Sequence, residues 1–288
     1  MEVTHYMNIA IEEAKLSLRE GNHGFGAVLI KDGQIIAAEH DREETAGDPT
    51  AHAELNAIKA AVRKLGKDLA GCVLITTHEP CPMCAGAIVW ANISGLAFGC
   101  SIKDARSQGR RRIDLTCEDV FNKANCNINI QAGILQQACS VLYRQDVRSE
   151  IEKLRTADAG KLAELNADSV AKRVAWFREN RDRFQFISDD LLESGYRLLL
   201  TRFGITAEQA PIISKSAKEI IFHSQNFCPT LEACKILEMD TSYVCRRLNE
   251  DATDALLKQL SPKLRFTRNY AKLRPYTDYC EEMISIRE

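Results

Sequence analysis

Two short segments constrain this chain more than anything else in its 288 residues: His52-Ala53-Glu54 and Pro80-Cys81-Pro82-Met83-Cys84. Each falls where a helix is expected to begin. Asp48-Pro49-Thr50 supplies cap residues ahead of a run of helix formers over 51–65, with Gly66 as a stop. Pro82 suits a first helical turn, where its missing N–H costs nothing. The unpaired N–H groups and positive dipole end of a helix start favour thiolates nearby. One imidazole and two thiolates suit zinc, which takes four ligands at about 2.0 to 2.3 Å and in catalytic sites keeps one position open. A fold that uses these residues together must bring two helix N-termini to one edge of an open α/β sheet, where ligands commonly bind.

The rest of the first half predicts such a sheet. Met7, Ala10, Ile11, Ala14 and Leu18 recur at helical spacing before Gly21. Strands are expected over 25–30 and 35–38, flanking Lys31-Asp32-Gly33-Gln34, which is hairpin chemistry. Residues 72–76 read as a buried strand, 84–90 as a helix, 96–98 as a strand, 128–130 as a weaker fifth strand and 135–154 as a long helix. Strands separated by helices predict an α/β sheet of about five strands with helices on both faces.

From about Thr156 the texture changes. Helical patterns dominate over 191–203, 216–223 and 231–237, and no convincing strand run is found. The expected domains are therefore 1–155 and an all-α C-terminal domain over 156–288, divided near Thr-Ala-Asp-Ala-Gly at 156–160.

Composition adds few limits. No run of about 18 apolar residues is present, so no membrane span is expected. The N-terminus lacks the pattern of a secretory signal. Eleven cysteines, an odd count, predict a reducing cytoplasm with free thiols, and Cys72, Cys100, Cys139 and Cys245 sit among apolar neighbours as core residues. A net charge of −2 argues neither for nor against a nucleic-acid partner.

With His52, Cys81 and Cys84 on the metal, Glu54 is free to move protons while the ion lowers the pKa of a bound water to about 7. That combination suits attack on a ring carbon bearing an exocyclic amino group. A closed, purely structural zinc site is the other reading, with His78 as a possible fourth ligand. Structural sites usually show two Cys-x-x-Cys pairs, and only one is present.

The pattern His-x-Glu…Pro-Cys-x-x-Cys is the mark of zinc deaminases. Residues 4–150 resemble the purine branch of the cytidine deaminase superfamily. Asp48-Pro49-Thr50-Ala51-His52-Ala53-Glu54 and Glu79-Pro80-Cys81-Pro82-Met83-Cys84-Ala85-Gly86-Ala87-Ile88 match both guanine deaminases and bacterial tRNA adenosine deaminases. The resemblance implies a three-layer α/β/α fold, Zn2+, and a homodimer or higher oligomer. Pro82 and Trp90 resemble the guanine deaminases, and Trp90 is implied as a substrate contact. Gly133-Ile134-Leu135 and Cys139 resemble the tRNA enzymes.

Where both relatives place an Asn eleven residues before the zinc His, this chain has Asp41. A carboxylate accepts hydrogen bonds but cannot donate them, so a pocket lined by Asp41 favours a ring edge rich in N–H groups. Phe25 reads as a stacking wall for the ring or as a core residue. The segment Lys103 to Arg112, with Arg106, Arg110, Arg111 and Arg112, either meets a phosphate or lies in solvent paired with Asp104, Asp114 or Glu118.

In the second half, residues 231–248 resemble a helix-turn-helix or an ordinary helical hairpin, with Arg246 and Arg247 on its second helix. Residues 265–279, with Phe266, Tyr270, Tyr276 and Tyr279 among basic residues, either bind nucleic acid or pack against the first domain. The expected function is a zinc-dependent deaminase of an amino-substituted purine or related base or nucleoside. A tRNA adenosine deaminase whose helical domain grips RNA is the alternative, and a nucleobase-sensing DNA-binding regulator is a third.

Overall fold

Asp32 and Gly33 both hold left-handed backbone, at φ 50° and 77°. They form the two-residue turn whose twist matches the strands it joins. Those strands are β1 (Gly26–Lys31) and β2 (Gln34–His40). With β3 (Cys72–His78), β4 (Gly95–Cys100) and β5 (Asn129–Ala132) they make a five-stranded sheet in the order β2-β1-β3-β4-β5. β1 is antiparallel to β2 and β3, while β3, β4 and β5 run parallel. The computed structural model describes residues 3–287, and the chain forms two compact units, Met1–Arg155 and Thr156–Glu288.

The helices of the first unit are α1 (Val3–Glu20), α2 (Glu43–Ala46), α3 (Ala53–Leu65), α4 (Pro82–Trp90), α5 (Ile102–Ser107), α6 (Cys117–Lys123), α7 (Gln136–Val141) and α8 (Gln145–Leu154). β1 is sandwiched because its side chains alternate between two helical layers. Ala27 and Leu29 pack in one core with Ala57 and Ala61 of α3 and Ala85 and Ile88 of α4. Gly26 faces α1, and a Cβ there would lie 1.9 Å from the Ala10 carbonyl oxygen, so only glycine allows this approach. The three-layer α/β/α architecture is present.

The single helix expected over 135–154 is two. Leu142 and Tyr143 turn inward between α7 and α8, and the Tyr143 hydroxyl donates to Thr77 Oγ1 at 2.7 Å. The break keeps the helical phase of the apolar residues on either side, so spacing alone could not reveal it.

The second unit corrects the all-α expectation. Its helices are α9 (Ala159–Asn180), α10 (Leu191–Phe203), α11 (Pro229–Leu237), α12 (Thr241–Cys245) and α13 (Asp251–Leu257). Beside them lie β6 (Ile212–Lys215), β7 (Glu219–Ser224), β8 (Leu264–Arg268) and β9 (Cys280–Ile286), an antiparallel sheet in the order β6-β7-β9-β8. The unit is therefore mixed α and β. Residues 216–223 were expected to be helical, yet Ile220, Phe222 and Ser224 are buried in strict alternation with their neighbours, the strand period. Phe266 belongs to the core with Phe177, Tyr196, Leu257 and Ile284. Tyr279 stacks on His223 at 3.7 Å between ring centres, and the Tyr270 hydroxyl donates to Glu250. Those aromatics pack within their own unit, whereas Tyr276 is exposed. Among the described residues no helix is long and apolar enough to cross a membrane.

Candidate metal centre and active site

His52 and Cys81 are the residues immediately before α3 and α4, both with extended backbone. Glu54 and Cys84 follow inside the first turns. The two helix starts meet near the C-terminal end of β3, where the chain runs His78-Glu79-Pro80 into the second motif. His52 Nδ1 is 3.6 Å from Cys81 Sγ and 3.5 Å from Cys84 Sγ, and the two sulfurs are 3.6 Å apart. A tetrahedral ion with ligands at about 2.0 to 2.3 Å requires edges of about 3.5 to 3.8 Å. The donors therefore fit zinc in both chemistry and spacing. His78 is not in this group. Its Nδ1 is tied to the Glu79 carbonyl at 2.8 Å, so the fourth-ligand alternative finds no support.

Electrostatics bind the cluster together. The hydrogen bond from Cys84, with help from His52, holds the Cys81 thiol down at about 4. The hydrogen bond to Cys81 raises His52 to about 9, and the same thiolate together with burial pushes Cys84 far up. A cation centred among the three donors would replace these protons. Glu54 is buried, with Oε2 3.7 Å from Cys84 Sγ. Burial, then the nearby Cys81 charge, lifts its carboxyl to about 7. On the far side of the imidazole, His52 Nε2 faces the Glu43 carboxylate at 3.9 Å, which also lies 3.4 Å from His23. Carboxylates behind ligand imidazoles commonly orient the ring.

A cavity of about 240 Å3 opens on this cluster, lined by His23, Phe25, Glu43, His52, Glu54, His78, Glu79, Cys81, Arg110 and Arg112. Phe25 is in its wall and also packs against the core of the sheet. Asp41 is fully buried behind the wall, with its carboxylate within 4.8 Å of His52 and Glu43 donor atoms. Its Oδ1 accepts from the His23 N–H at 3.2 Å and its Oδ2 has no partner among the described residues. Trp90 is a correction. It is 89% exposed and outside the lining. Cys81 precedes α4 and Trp90 ends it, nine residues and about 13 Å further along the axis.

Sequence reasoning missed His23, in the loop between α1 and β1, and Glu43, at the start of α2, neither of which carries a local motif. Glu79 had a signal, as the residue before the Pro-Cys segment. Its two oxygens accept from the N–H groups of Ile102 at 2.8 Å and Cys117 at 3.0 Å. Part of the Arg segment reaches the cavity while Arg106 pairs with Asp114 outside it.

Residues 1–100 match the model of the cytidine and deoxycytidylate deaminase zinc-binding region. The chain is 36% identical over 160 residues to a tRNA-specific adenosine deaminase of Bacillus subtilis (strain 168), covering 55% of this chain and 96% of that protein. It is 43% identical over 95 residues to a tRNA-specific adenosine deaminase of Aquifex aeolicus (strain VF5), covering 33% of this chain and 63% of that one. A guanine deaminase of Bacillus subtilis (strain 168) is 48% identical over 86 residues, 30% of this chain and 55% of its own length. The donor cluster, the α/β/α fold and these similarities agree: the chain belongs to the cytidine and deoxycytidylate deaminase family and is a hydrolytic deaminase acting on C–N bonds.

Proposed function

We propose that this protein uses zinc to remove ammonia from an amino-substituted purine or a related heterocyclic base or nucleoside. The observation that carries the reading is the triangle of His52, Cys81 and Cys84, with edges of 3.5 to 3.6 Å, beside a buried Glu54. Those three residues would hold the ion. When bound, zinc acts as a Lewis acid that makes hydroxide available near neutral pH.

Glu54 is the catalytic residue. It takes a proton from the attacking water and delivers it to a ring nitrogen, then carries the remaining proton of the added hydroxyl to the amino nitrogen, so that the carbonyl forms as the C–N bond breaks and ammonia leaves. Burial keeps bulk water from competing for that proton. Phe25 gives the cavity an aromatic wall beside the ring, and Asp41 lies behind that wall rather than against the ring. The test is an ammonia-release screen of zinc-loaded protein over free bases, nucleosides and nucleotides, with zinc measured on the same preparation. We expect one zinc per chain and turnover of an amino-substituted ring. Turnover of none, or zinc held by a fourth side chain, overturns the reading.

A second reading is supported by the 36% identity that spans almost the whole of a tRNA-specific adenosine deaminase. It expects conversion of adenosine within tRNA, with binding that weakens steeply as salt is added, because phosphate contacts release counterions. Turnover of small substrates alone, with salt-insensitive tRNA binding or none, rejects it.

A further inference from the structure

Three side chains of the cavity wall carry a buried polar atom with no partner among the described residues: His78 Nε2, Arg110 Nη1 and Arg112 Nη2. Native proteins leave few such atoms, and each requires a cause. The two arginines have no carboxylate within ion-pair distance among the described residues, whereas their neighbour Arg106 is paired with Asp114. Arg110 and Arg112 instead lie over the Phe25 ring, at 5.7 and 5.1 Å from its centre, and Arg110 also lies 5.5 Å from that of Tyr143. Arg148 stands close by, its Nη1 donating to the His23 carbonyl at 2.8 Å. Burial first, then repulsion from Arg148 and Arg112, brings Arg110 down to about 10. Like charges are gathered here: the buried Asp41 carboxylate supports Arg110 without pairing with it, and neither cavity arginine has an ion-pair partner among the described residues.

The arginines are also held in place. They sit between α5 and α6, each of which begins with a closed capping box, Ser101 with Asp104 and Thr116 with Asp119. Glu79 receives the N–H at the start of both helices, so one carboxylate fixes the two ends of the loop. Guanidinium groups without an ion-pair partner beside a cavity are suited to a phosphate, two of whose oxygens one guanidinium can meet bidentately.

We propose that Arg110 and Arg112 form an anion subsite of this cavity, and that the substrate is a small phosphorylated nucleoside rather than a free base. This rests on the deaminase reading and narrows its substrate class. A small ligand is favoured over an RNA backbone because the unpartnered nitrogens are shielded from bulk solvent in the wall of a cavity of about 240 Å3. A polyanion crossing the outer surface would leave them unsatisfied.

The experiment compares kcat/KM for amino-bearing nucleosides and their 5′-monophosphates, in the wild type and in an Arg110→Gln/Arg112→Gln double variant, with Arg106→Gln as a control in the same loop. We expect the wild type to prefer the monophosphate by roughly tenfold or more per arginine, the scale of a charge-assisted hydrogen bond. That ratio should collapse toward one in the double variant and persist in Arg106→Gln. A wild-type ratio near one, a ratio unchanged in the double variant, or turnover confined to RNA each overturns the subsite. Calorimetric titration with inorganic phosphate and the monophosphates is read independently of turnover. If no compound is deaminated, binding that disappears in the double variant still supports the subsite while the deaminase reading fails. Absence of binding overturns the subsite. Circular dichroism and the thermal midpoint verify that the double variant is folded.

Discussion

Arg268 in the second unit and Arg110 in the first are both drawn largely out of solvent, and these two residues are treated in opposite ways. In the second unit Arg268 pairs with Glu282 through Nε and Nη2, and its Nη1 lies 2.8 Å from Cys245 Sγ. Arg173 donates to Thr253 Oγ1 at 2.5 Å and to Asn249 Oδ1 at 3.0 Å. Burial opposes the Arg268 charge, yet Cys245 and Glu282 outweigh it and hold its pKa well above the usual value. In the first unit Arg110 and Arg112 each keep an unused donor, and at Arg110 burial prevails and lowers its pKa. Arg202 of the second unit, whose Nε is also without a partner among the described residues, lies over the Trp176 ring as Arg110 lies over Phe25, so the contrast is between Arg268 and the two cavity arginines rather than between whole units.

That contrast can be broken by experiment, starting with the largest expected effect. Glu54→Gln should lower kcat by about 10² to 10⁴, the contribution of a positioned general acid and base, while bound zinc measured by mass spectrometry stays near one per chain. Loss of the zinc instead would make Glu54 a structural residue. Next, Arg268→Met should destabilise the second unit by about 3 to 5 kcal/mol in denaturant unfolding, because Glu282 is left buried without its partner. A change under about 1 kcal/mol would mean that the pair is solvated in solution.

Arg110→Met should shift stability of the first unit by no more than about 0.5 kcal/mol, or raise it, since no internal partner is orphaned. A loss like that of Arg268→Met would erase the distinction between the two arginines. The smallest effect concerns His40, whose ring nitrogens lie 2.7 Å from Glu13 and 3.0 Å from Glu20. Burial, and the Arg42 charge, would lower the imidazole, but the two carboxylates prevail and its pKa is raised. A raised folded pKa gives stability that is fully present below about 6.5 and is lost as pH rises through the folded value. His40→Gln should flatten that part of the stability profile; an unchanged slope would assign it to another group.

The first unit was far more legible than the second, for a physical reason. Its punctuation is local: Asp32-Gly33 for the hairpin, Thr50 and Pro82 for helix starts, and apolar runs such as Leu74-Ile75 for interior strands. The metal donors were readable because two of them are three residues apart on one helix start. The walls of the cavity were legible only in part: Phe25 and the arginine segment stood out, but His23 and Glu43 meet them only after the chain has folded. In the second unit β7 carries Ile220-Ile221-Phe222 beside charged residues, and its period of two is too short to stand out against neighbouring helical spacing. Trp90 shows the limit of resemblance, since a shared side chain at the end of α4 says nothing of which way it faces.

The Glu79 bracket has a consequence for how such proteins diversify. One carboxylate on the cysteine side of the site grips both stems of an interchangeable tip, residues 102–117. New tips could be grafted onto those stems without disturbing the ion or its proton carrier. Selectivity for different compounds would then be inherited as a cassette, while the reaction itself stays the same.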